Sequence, residues 1–165
     1  MTQVLLFDTN VWSHLVMADK ANSQRVQEQL KLLQIKYPQA TIATSRLCVA
    51  ECLVGARSWP DAEKRNQAEE QYQHSFSDVR LYLVEVSAQI LDNAASLRAD
   101  SLRRAKVAAT VNGGKLKLPD AIIAATCLEF DPPAILVTEN DKDFRYLDDQ
   151  GVSCTVGNLI IECVG

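Results

Sequence analysis

An α/β fold built on a mainly parallel sheet is the expectation for this 165-residue chain. Short apolar runs at residues 4–7, 41–43, 81–84, 134–137 and 152–156 have the length of strands. The first of them, VLLF, is uninterrupted, as in strands buried on both faces. All but the last run lead into a stretch of helical periodicity, which is the order of βα units.

The first run ends on Asp8, and the residues after it predict a helix over 9–17. Further helices are expected over 23–36, 45–57, 61–76, 88–106 and 119–129, with a short one at 141–146. Ser45 suits the cap of the third helix. Pro119 suits a first helical turn, where its missing N–H costs nothing. Asn112-Gly113-Gly114 makes a break, and Asp131-Pro132-Pro133 ends a helix before the fourth run. There is no internal repeat, and residues 1–165 read as a single domain.

Composition narrows the classes. An apolar fraction of 47% and a charged fraction of 23% are ordinary for a globular domain. No run approaches the ~18 apolar residues of a membrane span, and the start lacks a secretory pattern, so a cytoplasmic protein is expected. Cys48 and Cys52 lie one helical turn apart without a CxxC pair. All five cysteines are expected to be small core residues. Zinc is disfavoured because only His14 and His74 are available to join them. The net charge of −4 argues against nucleic acid, but six basic residues between Arg98 and Lys117 face Asp100 alone. That stretch is suited to phosphates or is a solvated face.

The acids carry more chemistry. In open α/β sheets ligands gather beyond the carboxyl ends of the strands. Asp8 falls there after the first run, and Asp141 and Asp143 fall there after the fourth. Glu51 shares the helical side of Leu47, Ala50 and Val54, so it lies on or beside the stripe expected to face the core. Asp120 precedes Ile123, Ala124 and Cys127 at core spacing. Each acid has a structural explanation: Asp8 as a helix cap, Asp120 at a helix dipole, Glu51 paired with an arginine, Asp141 and Asp143 in a solvated loop. Converging at one buried edge, however, they would repel or stay protonated unless a cation compensated. Mg2+ or Mn2+, hard ions with oxygen ligands, answer that need.

Four stretches, LLFDTNVWSHL, TSRLCVAECLVGARS, AASLRADSLRRA leading into LPDAIIAATCLEF, and ILVTENDKDFRYL, together resemble the PIN-domain ribonucleases, and among them the VapC-type toxins of bacterial toxin–antitoxin pairs. The resemblance implies a three-layer α/β/α sandwich with a mainly parallel sheet of four to five strands. It implies Asp8, Glu51 and Asp120 as the first three acids, with Thr9 and Asn10 bracing Asp8. The fourth place falls on Asp143, then on Asp141, with Asn140 as a neutral ligand or water holder. An RNA substrate, a cognate antitoxin and a homodimer are implied as partners.

The chemistry expected is metal-assisted hydrolysis of RNA phosphodiester bonds. Asp8 and Asp120 would hold one ion, and Glu51 would take or hold the proton of the attacking water. Asp143 or Asp141 would hold a second ion against the leaving oxygen. Arg98–Lys106, Lys115 and Lys117 are candidates for the RNA backbone. Trp12 reads as a packing anchor rather than a stacking platform, and His14 as helix surface or packing rather than an acid. Three alternatives stand: a PIN nuclease of RNA processing without an antitoxin, a nuclease-dead binding module, and a haloacid dehalogenase-type phosphatase. The last is disfavoured because Asn10 stands where that chemistry needs a second aspartate.

Overall fold

The computed structural model describes residues 3–17, 23–103, 116–140, 144 and 160–164, and the backbone of 104–107. Five strands, β1 (Val4–Phe7), β2 (Thr41–Ser45), β3 (Tyr82–Val84), β4 (Ile135–Thr138) and β5 (Ile161–Cys163), form one sheet in the order β3-β2-β1-β4-β5. Every pairing is parallel. The helices are α1 (Thr9–Val16), α2 (Ser23–Lys36), α3 (Arg46–Arg57), α4 (Ala62–Phe76), α5 (Ala88–Val107) and α6 (Leu118–Cys127).

Alternate residues of a strand point to opposite faces, and two apolar cores follow from that. Leu6 and Leu136 pack on one face against Ile90, Ala94 and Leu97 of α5 and against α6. Leu5, Phe7, Ile135 and Val137 pack on the other against α1, α2 and α4. The result is the expected α/β/α sandwich. Both faces of the central strands are covered, so β1 and β4 are almost wholly apolar.

Helix α3 joins the two cores. Cys48 belongs to the first and Cys52 and Ala56 to the second. Of the core-facing stripe predicted through Leu47, Ala50 and Val54, Leu47 packs against the first core, but Ala50 is exposed and Val54 is 67% exposed; the buried residues are Cys48, Cys52 and Ala56. Glu51 borders this stripe, half-buried.

Two strands run further than their apolar letters suggest. Thr44, fully buried, donates its hydroxyl to the carbonyl of Phe7 at 3.0 Å, and Ser45 caps α3 by accepting from the Leu47 N–H at 3.2 Å. Thr138 extends β4 likewise. The fifth strand observed is Ile161–Cys163, beyond the last expected apolar run. The expected run at 152–156, the short helix at 141–146 apart from Phe144, the break at 112–114 and Cys154 lie outside the described residues. Cys48, Cys52 and Cys127 are buried as expected, whereas Cys163 is exposed, because β5 is an edge strand. Among the described residues, no helix is long and apolar enough to cross a membrane.

Candidate active site

The chain starts at the centre of the sheet. It winds outward through β2 and β3, then returns to place β4 on the other flank of β1. The strand order therefore reverses between β1 and β4, and such a reversal opens a crevice at the carboxyl ends of the two strands. Asp8 stands at that point. Its N–H makes the last bond of the β1–β4 pairing, to the carbonyl of Val137 at 3.0 Å, and α1 begins at the next residue.

Asp8 caps α1, since Oδ1 accepts from the Thr9 N–H at 2.6 Å. Oδ2 accepts from the Thr138 hydroxyl at 2.8 Å, and the Asn140 N–H donates to that same Thr138 oxygen at 3.0 Å. The residue is only 4% exposed. Burial pushes its carboxyl up to about 6 against an ordinary 3.8, the two hydrogen bonds hold it partly back, and the negative charges of Asp120 and Glu51 push it further up. The cap and the charged cluster thus coexist in one side chain.

Glu51 reaches Asp8 through Thr9, whose hydroxyl donates to Glu51 Oε2. Asp120 lies in the first turn of α6, entered through a Lys117 cap with Pro119 in the opening turn. Two side chains of α5 set that entry. Arg98 donates to the carbonyl of Leu116 at 2.7 Å, and Ser101 accepts from the Leu116 N–H at 2.9 Å. Arg98 is thus engaged with the protein's own backbone, and Arg103 pairs with Asp100. Lys117 is exposed.

The structure brings Asp8, Glu51 and Asp120 to one end of the sheet. Asn140 joins them through Thr138, while Asp141 and Asp143 lie outside the described residues. Phe144, just beyond, is fully buried in the core beneath β1. Among the described residues, no three Asp, Glu, His or Cys side chains are gathered tightly enough to ligate one ion. Asp120 and Glu51 lie near enough for their charges to act on the desolvated Asp8 carboxylate, and carboxylate oxygens are the donor type that a hard divalent cation takes. Burial and the nearby Asp8 and Glu51 charges push the Cys48 thiol up to about 12, which makes it no nucleophile.

Trp12 is the expected packing anchor, 5.8 Å from Phe7 and 5.1 Å from Phe76 between ring centroids. His14 is not on the helix surface. It is buried and bonded to Glu139, a contact between residues 125 apart in the chain for which periodicity gives no signal.

A PIN-domain family model matches residues 5–150 of the chain. The chain belongs to the PIN-domain family. Solved structures like this PIN domain include VapBC2 of Rickettsia felis bound to a DNA fragment from its promoter, at 22% identity, 98% of both chains covered and a TM-score of 0.65. A toxin–antitoxin complex from Klebsiella pneumoniae matches at 26% identity, over 90% of this chain and 92% of that one, with a TM-score of 0.57. VapC20 of Mycobacterium tuberculosis, a toxin that cleaves the sarcin–ricin loop, matches at 15% identity over 80% and 86%, with a TM-score of 0.53. No curated protein matches the chain.

Proposed function

We propose that this PIN domain is a metal-dependent endoribonuclease, the VapC-type toxin of a toxin–antitoxin pair, acting in the cytoplasm. The observation that carries the reading is the desolvated carboxylate of Asp8, facing Glu51 and Asp120 at the reversal point of the sheet. Family membership and the likeness to toxin–antitoxin structures support it.

Asp8 and Asp120 are the residues to hold Mg2+ or Mn2+, with Asn140, Asp141 and Asp143, which follow β4 in the sequence, as the candidates for the fourth place. A divalent ion bound there supplies water activation near neutral pH and neutralises charge on the leaving oxygen. Glu51, oriented by the Thr9 hydroxyl, accepts the proton of the attacking water. Thr138 and the Thr9 N–H keep Asp8 in one rotamer, so its free lone pairs point in a fixed direction. Water attacks phosphorus, the bond to the 3′ oxygen breaks, and the products are a 5′-phosphate and a 3′-hydroxyl. Lys117, exposed beside Asp120, lies where it would meet the RNA backbone.

The antitoxin would seat on α4 and the end of α1. Val16, Met17, Trp59, Lys64 and Gln67 there line a cleft of about 320 Å3. A homodimer completes the proposed assembly.

RNA cleavage by the purified protein with Mn2+ is the test. Asp8→Asn and Asp120→Asn should each lower the rate at least about a hundredfold, and EDTA should stop it. Variants that cut at the wild-type rate, or cleavage indifferent to EDTA, would end the proposal. Expression should arrest growth, and expression of Asp8→Asn should not; arrest by both would remove the toxin role.

A further inference from the structure

Buried His14 and half-buried Glu139 form a link between the first helix and the turn that follows β4. The imidazole is 3% exposed and bonded on both nitrogens. Nε2 lies 2.8 Å from Glu139 Oε2 and Nδ1 lies 3.2 Å from Ser23 Oγ. Ser23, at the start of α2, also donates to the carbonyl of Met17 at 3.2 Å. Ring position and rotation are therefore set by α1 and α2 together. Burying such a group costs free energy that apolar packing would avoid, so its consequence is to be sought in what it holds.

It holds the middle of the turn Thr138–Glu139–Asn140. Thr138 donates to Asp8, and the Asn140 N–H donates to Thr138. That N–H occupies an acceptor site on the Thr138 oxygen and so aims the hydroxyl proton at Asp8. Glu139 sits between these two residues, and among the described residues its side chain bonds to His14.

We propose that His14 is a positioning residue of the active site: through Glu139 it fixes the turn after β4, and so the Asn140–Thr138–Asp8 chain of hydrogen bonds. It touches neither substrate nor reacting atoms. Freed from His14, Glu139 turns to solvent, the turn loosens and Asp8 loses its fixed donor.

The test has one metal-free arm, and one arm that rests on the proposed nuclease reading. Wild type, His14→Ala, Glu139→Ala and Glu139→Gln are compared by amide hydrogen exchange at Asn140 in EDTA and by calorimetric titration with Mn2+. Glu139, with its side chain 30% exposed, is the substitution least disruptive to the fold. Both alanine variants should exchange the Asn140 N–H faster and bind Mn2+ about tenfold more weakly. The double alanine variant should add nothing further, and Glu139→Gln, which keeps an oxygen acceptor, should recover wild-type behaviour. Unchanged exchange in a folded alanine variant, or losses that add in the double variant, would overturn the proposal. Absence of Mn2+ binding in wild type overturns the nuclease reading instead, and the exchange arm then decides the role of His14 alone.

Discussion

Asp8 is pulled two ways by its surroundings. Two donors favour its charged form, while burial and two neighbouring acids oppose it, and the opposition prevails because its carboxyl rises to about 6. The folded protein therefore binds this proton more tightly than the unfolded chain. Metal-free stability should fall as pH climbs from about 4 to about 6 and stay at its lower level above, by at most ~3 kcal/mol. In EDTA at pH 7.5, Asp8→Asn should thus melt above wild type, with the advantage shrinking towards pH 4. Thermal melts across that range check it, and equal melting at pH 7.5 would mean the carboxylate is not strained. Thiols divide similarly by environment. Exposed Cys163 should react with iodoacetamide at pH 8 while Cys48 and Cys127, whose ionisation burial opposes, should not. Peptide mapping reads this directly.

Helix α6 is buried almost all round, from Ala121 to Cys127, so its angle depends on how its N-terminus is held. Ser101 satisfies the N–H of fully buried Leu116 there. Ser101→Ala should cost about 1–3 kcal/mol, because a buried donor is left without its acceptor. Denaturant unfolding measures that, and a loss below half a kcal/mol would show that the entry relaxes. Helix α3 illustrates the limit of periodicity. The spacing of Leu47, Ala50 and Val54 looks like a core face, yet this helix joins two cores: Leu47 packs at the edge of the first, while Cys48, Cys52 and Ala56 are the buried contacts. Glu51 was legible as an acid beside a buried stripe. Which stripe was not, because periodicity says that a face is buried and not against what.

At the scale of the whole molecule, the proposed ion would couple binding to folding. Mn2+ at a hundred times its Kd should stabilise the fold by about 2.7 kcal/mol, or roughly 5–10 °C in Tm for a chain of this size. The gain should fade below pH 6, where Asp8 binds a proton in place of the ion. Melting unchanged by Mn2+ at pH 7.5 would count against any ion at this site. Such coupling follows from topology. The residues concerned follow β1 and β4, and lie on helices entered after β2 and α5.

Local order was legible in the chain itself: apolar runs against polar punctuation, the caps at Asp8 and Ser45, and the ordered acids that resemble a nuclease family. These depend on neighbours within a few residues, where spacing and side-chain chemistry act directly. The meetings of Thr9 with Glu51, Arg98 with Leu116 and His14 with Glu139 were decided only by the packing of layers. So was the choice of 161–163 as a strand, since a short apolar run becomes one only when a neighbour such as β4 offers its edge. Contacts across 18 to 130 residues are set by which faces the cores bury together, and no local pattern carries that information.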